Sequence, residues 1–269
     1  LEGASLGRAV LRNANMRGMR LPRARLSRAD LGGADLSGAH LAEANLSATD
    51  LSEAQLAGAD LTGAFLTQAR MVGTDLSGAR LAGAQMSGLD LTRVKSLAGA
   101  DLTQADLRRA KLGGVDLSGA NLVRARLGRA DLTGAGLAAA NLEDAELKKA
   151  LLRGADLRSA NLKRARLEGA KLQGASLTRA NLELVRLSGN LIGIDLSGVM
   201  LRRASLAGAN LKDAVFRGAM LEFADLQSAN LYGADFADAN LHRANLRKAN
   251  LREANLKGAD LTGAMLPEP

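Results

Sequence analysis

LHRANLRKANLREANLKGADLTGAML, residues 241–266, places a leucine at every fifth position: Leu241, Leu246, Leu251, Leu256, Leu261 and Leu266. Two residues before each later leucine stands an alanine: Ala244, Ala249, Ala254, Ala259 and Ala264. Between them comes Asn or Asp at Asn245, Asn250, Asn255 and Asp260. The two positions after each leucine vary. This five-residue unit runs through almost all of the 269 residues.

A helix cannot use that spacing. At about 100° per residue, five residues turn the face by a net ~140°, so the leucines would spiral around the axis. A flat strand fails too, because its side chains alternate and an odd spacing sends successive leucines to opposite faces. The leucine and the residue two before it are nearly always apolar, with Thr49 and Thr74 as exceptions. Spaced by two, they share one face of a short extended segment. The next pair faces the same way only if the chain bends between units. Four bends of about 90° close a square, and coil stacks on coil at the ~4.8 Å strand spacing. The variable positions supply the bend chemistry, as in Leu36-Ser37-Gly38, Leu56-Ala57-Gly58 and Leu61-Thr62-Gly63. Glycine in the second of them suits a backbone with φ > 0.

These A-(N/D)-L-x-x units resemble the pentapeptide-repeat family over essentially the whole chain. The resemblance implies an all-β fold, a right-handed quadrilateral β-helix with four pentapeptides per coil. It also implies that Leu and Ala point inward and that the other three positions face solvent.

The units fall into three register blocks. Centres recur every five residues from Leu1 to Leu91, with Met16, Met71 and Met86 replacing leucine. One residue is then inserted around Val94-Lys95-Ser96, and the second block runs from Leu97 to Leu187. One residue is lost in Leu187-Ser188-Gly189-Asn190-Leu191, and the third block runs to Leu266 with Phe216 and Phe236 as its only other centres. The blocks hold 19, 19 and 16 centres, which predicts about 13 coils and a rod of roughly 65 Å. The hydrophobic pattern resumes at once after each slip, so one β-helical domain over 1–269 is expected, with register breaks near 94–97 and 187–191. Larger residues at the alanine position (Leu89, Val94, Val185, Ile194, Val199) flank the slips and suit space opened by a bulge or a shortened corner. Phe216 and Phe236 are one coil apart and are expected to stack. Pro267, Glu268 and Pro269 read as a stop, since proline lacks the N–H for further pairing. Leu1 begins in mid-repeat with no such device, so that end is expected either to self-associate, pairing with another copy of the chain, or to be capped by a preceding segment.

Composition narrows the function classes. Aromatics are 2% and cysteine is absent, which leaves no thiolate metal site or disulfide and fits a reducing, cytoplasmic compartment. No apolar run approaches the ~20 residues of a membrane-spanning helix. The two histidines, His40 and His242, lie at outward positions many coils apart. The many Asx residues before the centres suit local backbone bonding near bends rather than metal ladders. No phosphate-cradling loop motif is present. The residues point to no enzyme, no cofactor and no metal.

Two surface patterns remain. The net charge is +8, and residues 101–187 hold 16 Lys and Arg against 10 Asp and Glu, so +6 of it lies there. Arg108, Arg109, Arg126, Arg129, Lys148, Lys149, Arg166 and Arg186 form a basic stripe, interrupted by Asp106, Glu146 and Glu168. Leu184, Met200, Met220 and Phe223 form an outward apolar group in neighbouring coils. The reading that follows is a non-enzymatic scaffold or interaction domain, presenting a rigid surface to a macromolecular partner. That partner is expected to be a protein, with nucleic acid or another anionic surface as the alternative. The stripe has no aromatic interleaving for base stacking. The family resemblance further implies a role held by part of the family, mimicry of duplex DNA that protects DNA gyrase. Such mimicry needs an acidic surface, and this chain is basic.

Overall fold

Each pentapeptide makes one side of a square and one corner, and a computed structural model describes residues 2–268 so arranged. Away from the slips, the residue before the centre forms a parallel one-residue bridge to its counterpart in the next coil, from Ser5–Arg25 to Asn245–Met265. The chain is a right-handed quadrilateral β-helix, and the described residues contain no α-helix. Among the described residues no helix is long and apolar enough to cross a membrane.

Leu26 shows how one unit is held. Its N–H donates to Asn45 O at 2.8 Å in the next coil. Two residues on, Arg28 N–H donates to Ser47 O at 3.0 Å, and Ala29 N–H closes the corner on Leu26 O at 3.0 Å. The second corner residue takes φ near +60°, whether glycine, as Gly38 (φ 63°), or not, as Arg28 (φ 59°). The Asx side chain braces the same corner from outside: Asp50 Oδ1 accepts from Ser52 N–H at 2.9 Å, and Asn45 Oδ1 from Ser47 N–H at 3.0 Å. This is the local backbone bonding that makes Asx a turn residue.

Four faces result, numbered in chain order by the bridging residue. Face I runs through Ser5, Arg25 and Asn45; face II through Val10, Asp30 and Asp50; face III through Asn15, Asp35 and Gln55; face IV through Arg20, His40 and Asp60. Corner I follows face I, and so on round the square. Inside, leucines and alanines are almost wholly buried from about Leu21 to Leu246, and the inward residues of the first and last coils, such as Leu6, Leu11, Leu256 and Leu261, are only partly buried. Phe216 and Phe236 stack face to face, with ring centroids 4.7 Å apart and planes 2° from parallel. Thr49 and Thr74 take alanine positions without leaving a buried hydroxyl unpaired. They donate to Leu26 O and Leu51 O, each at 2.8 Å.

The two slips are visible as changes of offset. Asp75 bridges Ser96, and Asp90 bridges Lys111, 21 residues apart instead of 20. Lys95 is the extra residue: its N–H reaches Thr74 O at 2.9 Å and its ammonium lies 3.4 Å from Asp75. On face II beside it, among the described residues, no bridge joins Arg70 to Asp90. A cleft of about 360 Å³ opens there, lined by Gln68, Ala69, Arg70, Met71, Val72, Asp90 and Arg93. At the second slip Arg186 bridges Ser205, an offset of 19. Gly189 closes the shortened corner at φ 110°, where a Cβ would meet Gly169 Cα at 3.5 Å. The core persists at both slips, with Leu91, Leu97, Leu187 and Leu191 buried and Leu89, Val185, Ile194 and Val199 filling alanine positions. Val94 is only partly buried. Met265 makes the last bridge, and Pro267 and Glu268 follow it unbridged. Leu1 and Pro269 lie outside the described residues.

Two outcomes follow from this construction. Asp75, Asp90 and Asp116 are held below their ordinary value of 3.8, first by the hydroxyls of Ser77, Thr92 and Ser118 and then by the backbone N–H groups there. Their contribution is complete above the unfolded value and is lost as pH falls through the folded ones. Denaturation midpoints are therefore expected to be flat from pH 7 to 5 and to fall below about pH 4. Deleting Lys95 should restore an offset of 20 and close the face II cleft. Hydrogen exchange at the Met71 and Asp90 amides should then slow, with no loss of cooperativity.

Candidate interaction surfaces

The basic stripe divides between a flat side and a ridge. Arg126, Arg166 and Arg186 bridge in sequence on face I, with Asp106 and Glu146 in the same column. Arg108, Arg109, Arg129, Lys148 and Lys149 occupy the adjoining corner I, where the coil-to-coil bonds run from Arg109 N–H to Gly128 O and from Arg129 N–H to Lys148 O.

Two carboxylates capture most of these charges. Asp106, only 3% exposed, receives Arg108 Nε at 2.7 Å and lies 3.8 Å from Arg126. The Arg108 side chain, then desolvation and the Arg108 N–H, set the balance that holds its carboxyl below the usual range; the same contact raises Arg108. Glu168 Oε1 sits 3.6 Å from Lys148 and 3.7 Å from both Arg166 and Arg186. Arg109, Arg129 and Lys149 remain. Among the described residues they join no ion pair. All three are at the second corner position, with φ of 58°, 60° and 57°, and stack in successive coils. They line a groove of about 560 Å³ with Ser87, Arg108, Gly128 and Lys148. Gly128, having no side chain, opens its middle.

The apolar group is also resolved into two parts. Met200 and Met220 bridge each other on face IV, below Asn240. Phe223 and Leu184 project from corner IV beside them, and Arg203 lies between these two in the stack. Phe223 is held by cations: the Arg203 and Arg243 guanidiniums lie 5.6 and 5.8 Å from its ring centroid. His242 meets it edge-on at 5.9 Å. The apolar pattern alone does not point to Arg203 and Arg243, but each stands 20 residues from Phe223, and that spacing is the signal that places them.

Face III has a different character. Its bridging column reads Asp35, Asp75, Asp116, Asp156, Asp195 and Asp235 in every second coil, with Gln55, Ser96, Gly136, Ser176 and Val215 between. Four of the six are paired, to Arg17, Lys95, Arg158 and Arg217. Among the described residues no three His, Cys, Asp or Glu converge as a metal site would require.

This four-sided solenoid varies mostly in its outward side chains, so what distinguishes one part of the rod from another is its surface. The family model for pentapeptide repeats matches nine stretches between residues 1 and 266, and the chain belongs to that family. It is similar to HetL, a pentapeptide repeat protein involved in heterocyst differentiation regulation in the cyanobacterium Nostoc. The two share 33% identity over 93% of this chain and 91% of that one, at a TM-score of 0.33. Full-length QnrB1, a plasmid-mediated fluoroquinolone resistance protein, shares 17% identity over 88% and 91% of the two chains, at a TM-score of 0.27. Rfr23 from the cyanobacterium Cyanothece shares 25% over 58% and 90%, at 0.19. No curated protein matches the chain.

Asp106→Asn is expected to keep the corner bond to Arg108 N–H but release both guanidiniums. Stability should fall by about 1 kcal/mol, while retention on an anionic matrix should rise.

Proposed function

We propose that this protein is a non-enzymatic interaction module whose corner I ridge docks an acidic partner protein. The observation that carries the reading is the uncompensated set Arg109, Arg129 and Lys149. Local carboxylates neutralise their neighbours, yet these three stand in register around a groove. Cations without local partners remain available for charge-assisted bonds to another molecule's carboxylates. Their rigid corner backbones keep the ordering cost of binding low. A nucleic acid would find the same charges but no base-stacking side chain among the groove's lining residues, so binding to it would be salt-driven and sequence-blind.

Protection of DNA gyrase by duplex mimicry is disfavoured by spacing as well as sign. The face III carboxylates recur about every 9.6 Å, two coils apart. Duplex DNA carries a phosphate about every 3.4 Å along each strand.

Binding to polyglutamate, measured by titration at rising salt, tests the ridge. The triple variant Arg109→Glu, Arg129→Glu, Lys149→Glu is expected to weaken it at least tenfold with an unchanged melting curve. Equal binding by the variant would remove the ridge from the function. Supercoiling assays with a quinolone are expected to show no protection of gyrase.

A further inference from the structure

Corner IV carries side chains that the fold itself does not favour. Among the 27 described non-glycine residues at positive φ, only Leu184 (59°) and Phe223 (60°) have large apolar side chains. Bulky residues are disfavoured in that backbone region. Both side chains are exposed, at 36% and 42%, so neither position contributes to the core. Two such residues on one corner, two coils apart, are costs that folding does not recover.

Their surroundings give them a role. The corner stack reads Arg164, Leu184, Arg203, Phe223, Arg243, tied by Arg164 N–H to Glu183 O, Leu184 N–H to Arg202 O, Arg203 N–H to Glu222 O and Phe223 N–H to His242 O. Cation and apolar side chain alternate. Arg203 and Arg243 join no ion pair among the described residues, while Arg164 is engaged by Glu143 and Asp144. Met220, 37% exposed, and its bridged neighbour Met200 extend the apolar surface around the edge. Aromatic, Met and Arg side chains are the ones enriched where protein interfaces are tightest.

The spacing selects the occupant. Rungs of this corner repeat at the ~4.8 Å coil spacing, and an α-helix presents one face every 5.4 Å. The mismatch is about 0.6 Å per rung, within the reach of flexible side chains. An extended strand repeats one face about every 6.6 Å and falls out of step by nearly 2 Å per rung. A nucleobase is a poor occupant, because a guanidinium from the coil on each side already lies over the Phe223 ring.

We propose that corner IV, from Leu184 to Arg243, is a docking strip for an amphipathic acidic α-helix of a partner protein, laid parallel to the rod axis. Its apolar residues at i and i+7 rest on Leu184 and Phe223. Its carboxylates at i+4 and i+11 pair with Arg203 and Arg243, and the two methionines adapt to the flank. This surface is separate from the corner I ridge and does not depend on it.

The test uses a labelled synthetic helical peptide with Leu at i and i+7 and Glu at i+4 and i+11, followed by fluorescence anisotropy. The full chain is expected to bind it and not a scrambled peptide of the same composition. Phe223→Gly should weaken binding at least tenfold while melting no lower than the parent, since glycine suits φ near +60°. Arg203→Glu with Arg243→Glu should lose the peptide and gain one in which Lys replaces Glu. The corner I triple variant should bind as the parent does. Failure of the parent to bind, equal binding of the scrambled peptide, or unchanged binding by Phe223→Gly and the Arg203→Glu, Arg243→Glu pair would each overturn the proposal.

Discussion

The rod depends on one constraint, repeated at nearly every side of the square: a corner residue held at φ near +60° whose N–H bonds the next coil. Glycine meets that demand without steric cost, yet 27 described corners use other residues. Each of those carries a backbone penalty of about 1 kcal/mol or more. What offsets it is local to the same unit. The leucine beside the corner is removed from water, a gain of about 1.5–3 kcal/mol, and the unit adds two to three bonds to its neighbours. The repeat is a balance struck within five residues, so it can be extended indefinitely and tolerates almost any side chain outside.

The slips show what happens when that balance is disturbed by a single residue. Inserting Lys95 leaves the leucine column intact but displaces the backbone enough to part coils on face II. Losing a residue at Gly189 demands a φ that glycine alone supplies comfortably. In both cases the buried column is conserved in space and the ladder gives way. Burial is the stiffer of the two restraints here, because a coil that rotated its leucines outward would lose its share of the core at every later step.

This ordering explains what could be read from the chain. A period of five with apolar residues two apart admits few geometries, so the four-sided coil, the inward Leu and Ala, the slips near Lys95 and Gly189, and the Phe216–Phe236 stack were all legible. The column addresses of Arg108, Met220 and Phe223 were legible too, since position modulo a coil is enough. Pairing was not. Asp106 looks like an interruption of a basic stripe in the sequence, but it is a buried acceptor that gathers Arg108 and Arg126. Glu168 likewise draws in Lys148, Arg166 and Arg186. Which cations stay free depends on rotamers and on distances of a few ångströms, and no periodicity encodes them.

The surface therefore has to be judged against the fold's indifference to it. Outward charge that the same or a neighbouring coil satisfies is explained by the rod itself, and most of the basic stripe and of the face III aspartates fall in that class. Other outward cations, such as Arg153, Arg252 and Lys257, also join no ion pair among the described residues, so what marks Arg109, Arg129 and Lys149 is the groove they share, and what marks Leu184 and Phe223 is exposure in strained backbone. They occupy corners I and IV, the two edges of face I. Corners are where a square rod projects side chains furthest and where the backbone is most firmly fixed, by the turn bond and the coil-to-coil bond together. A partner meeting side chains there finds them already ordered, so less of its binding energy goes into ordering the rod.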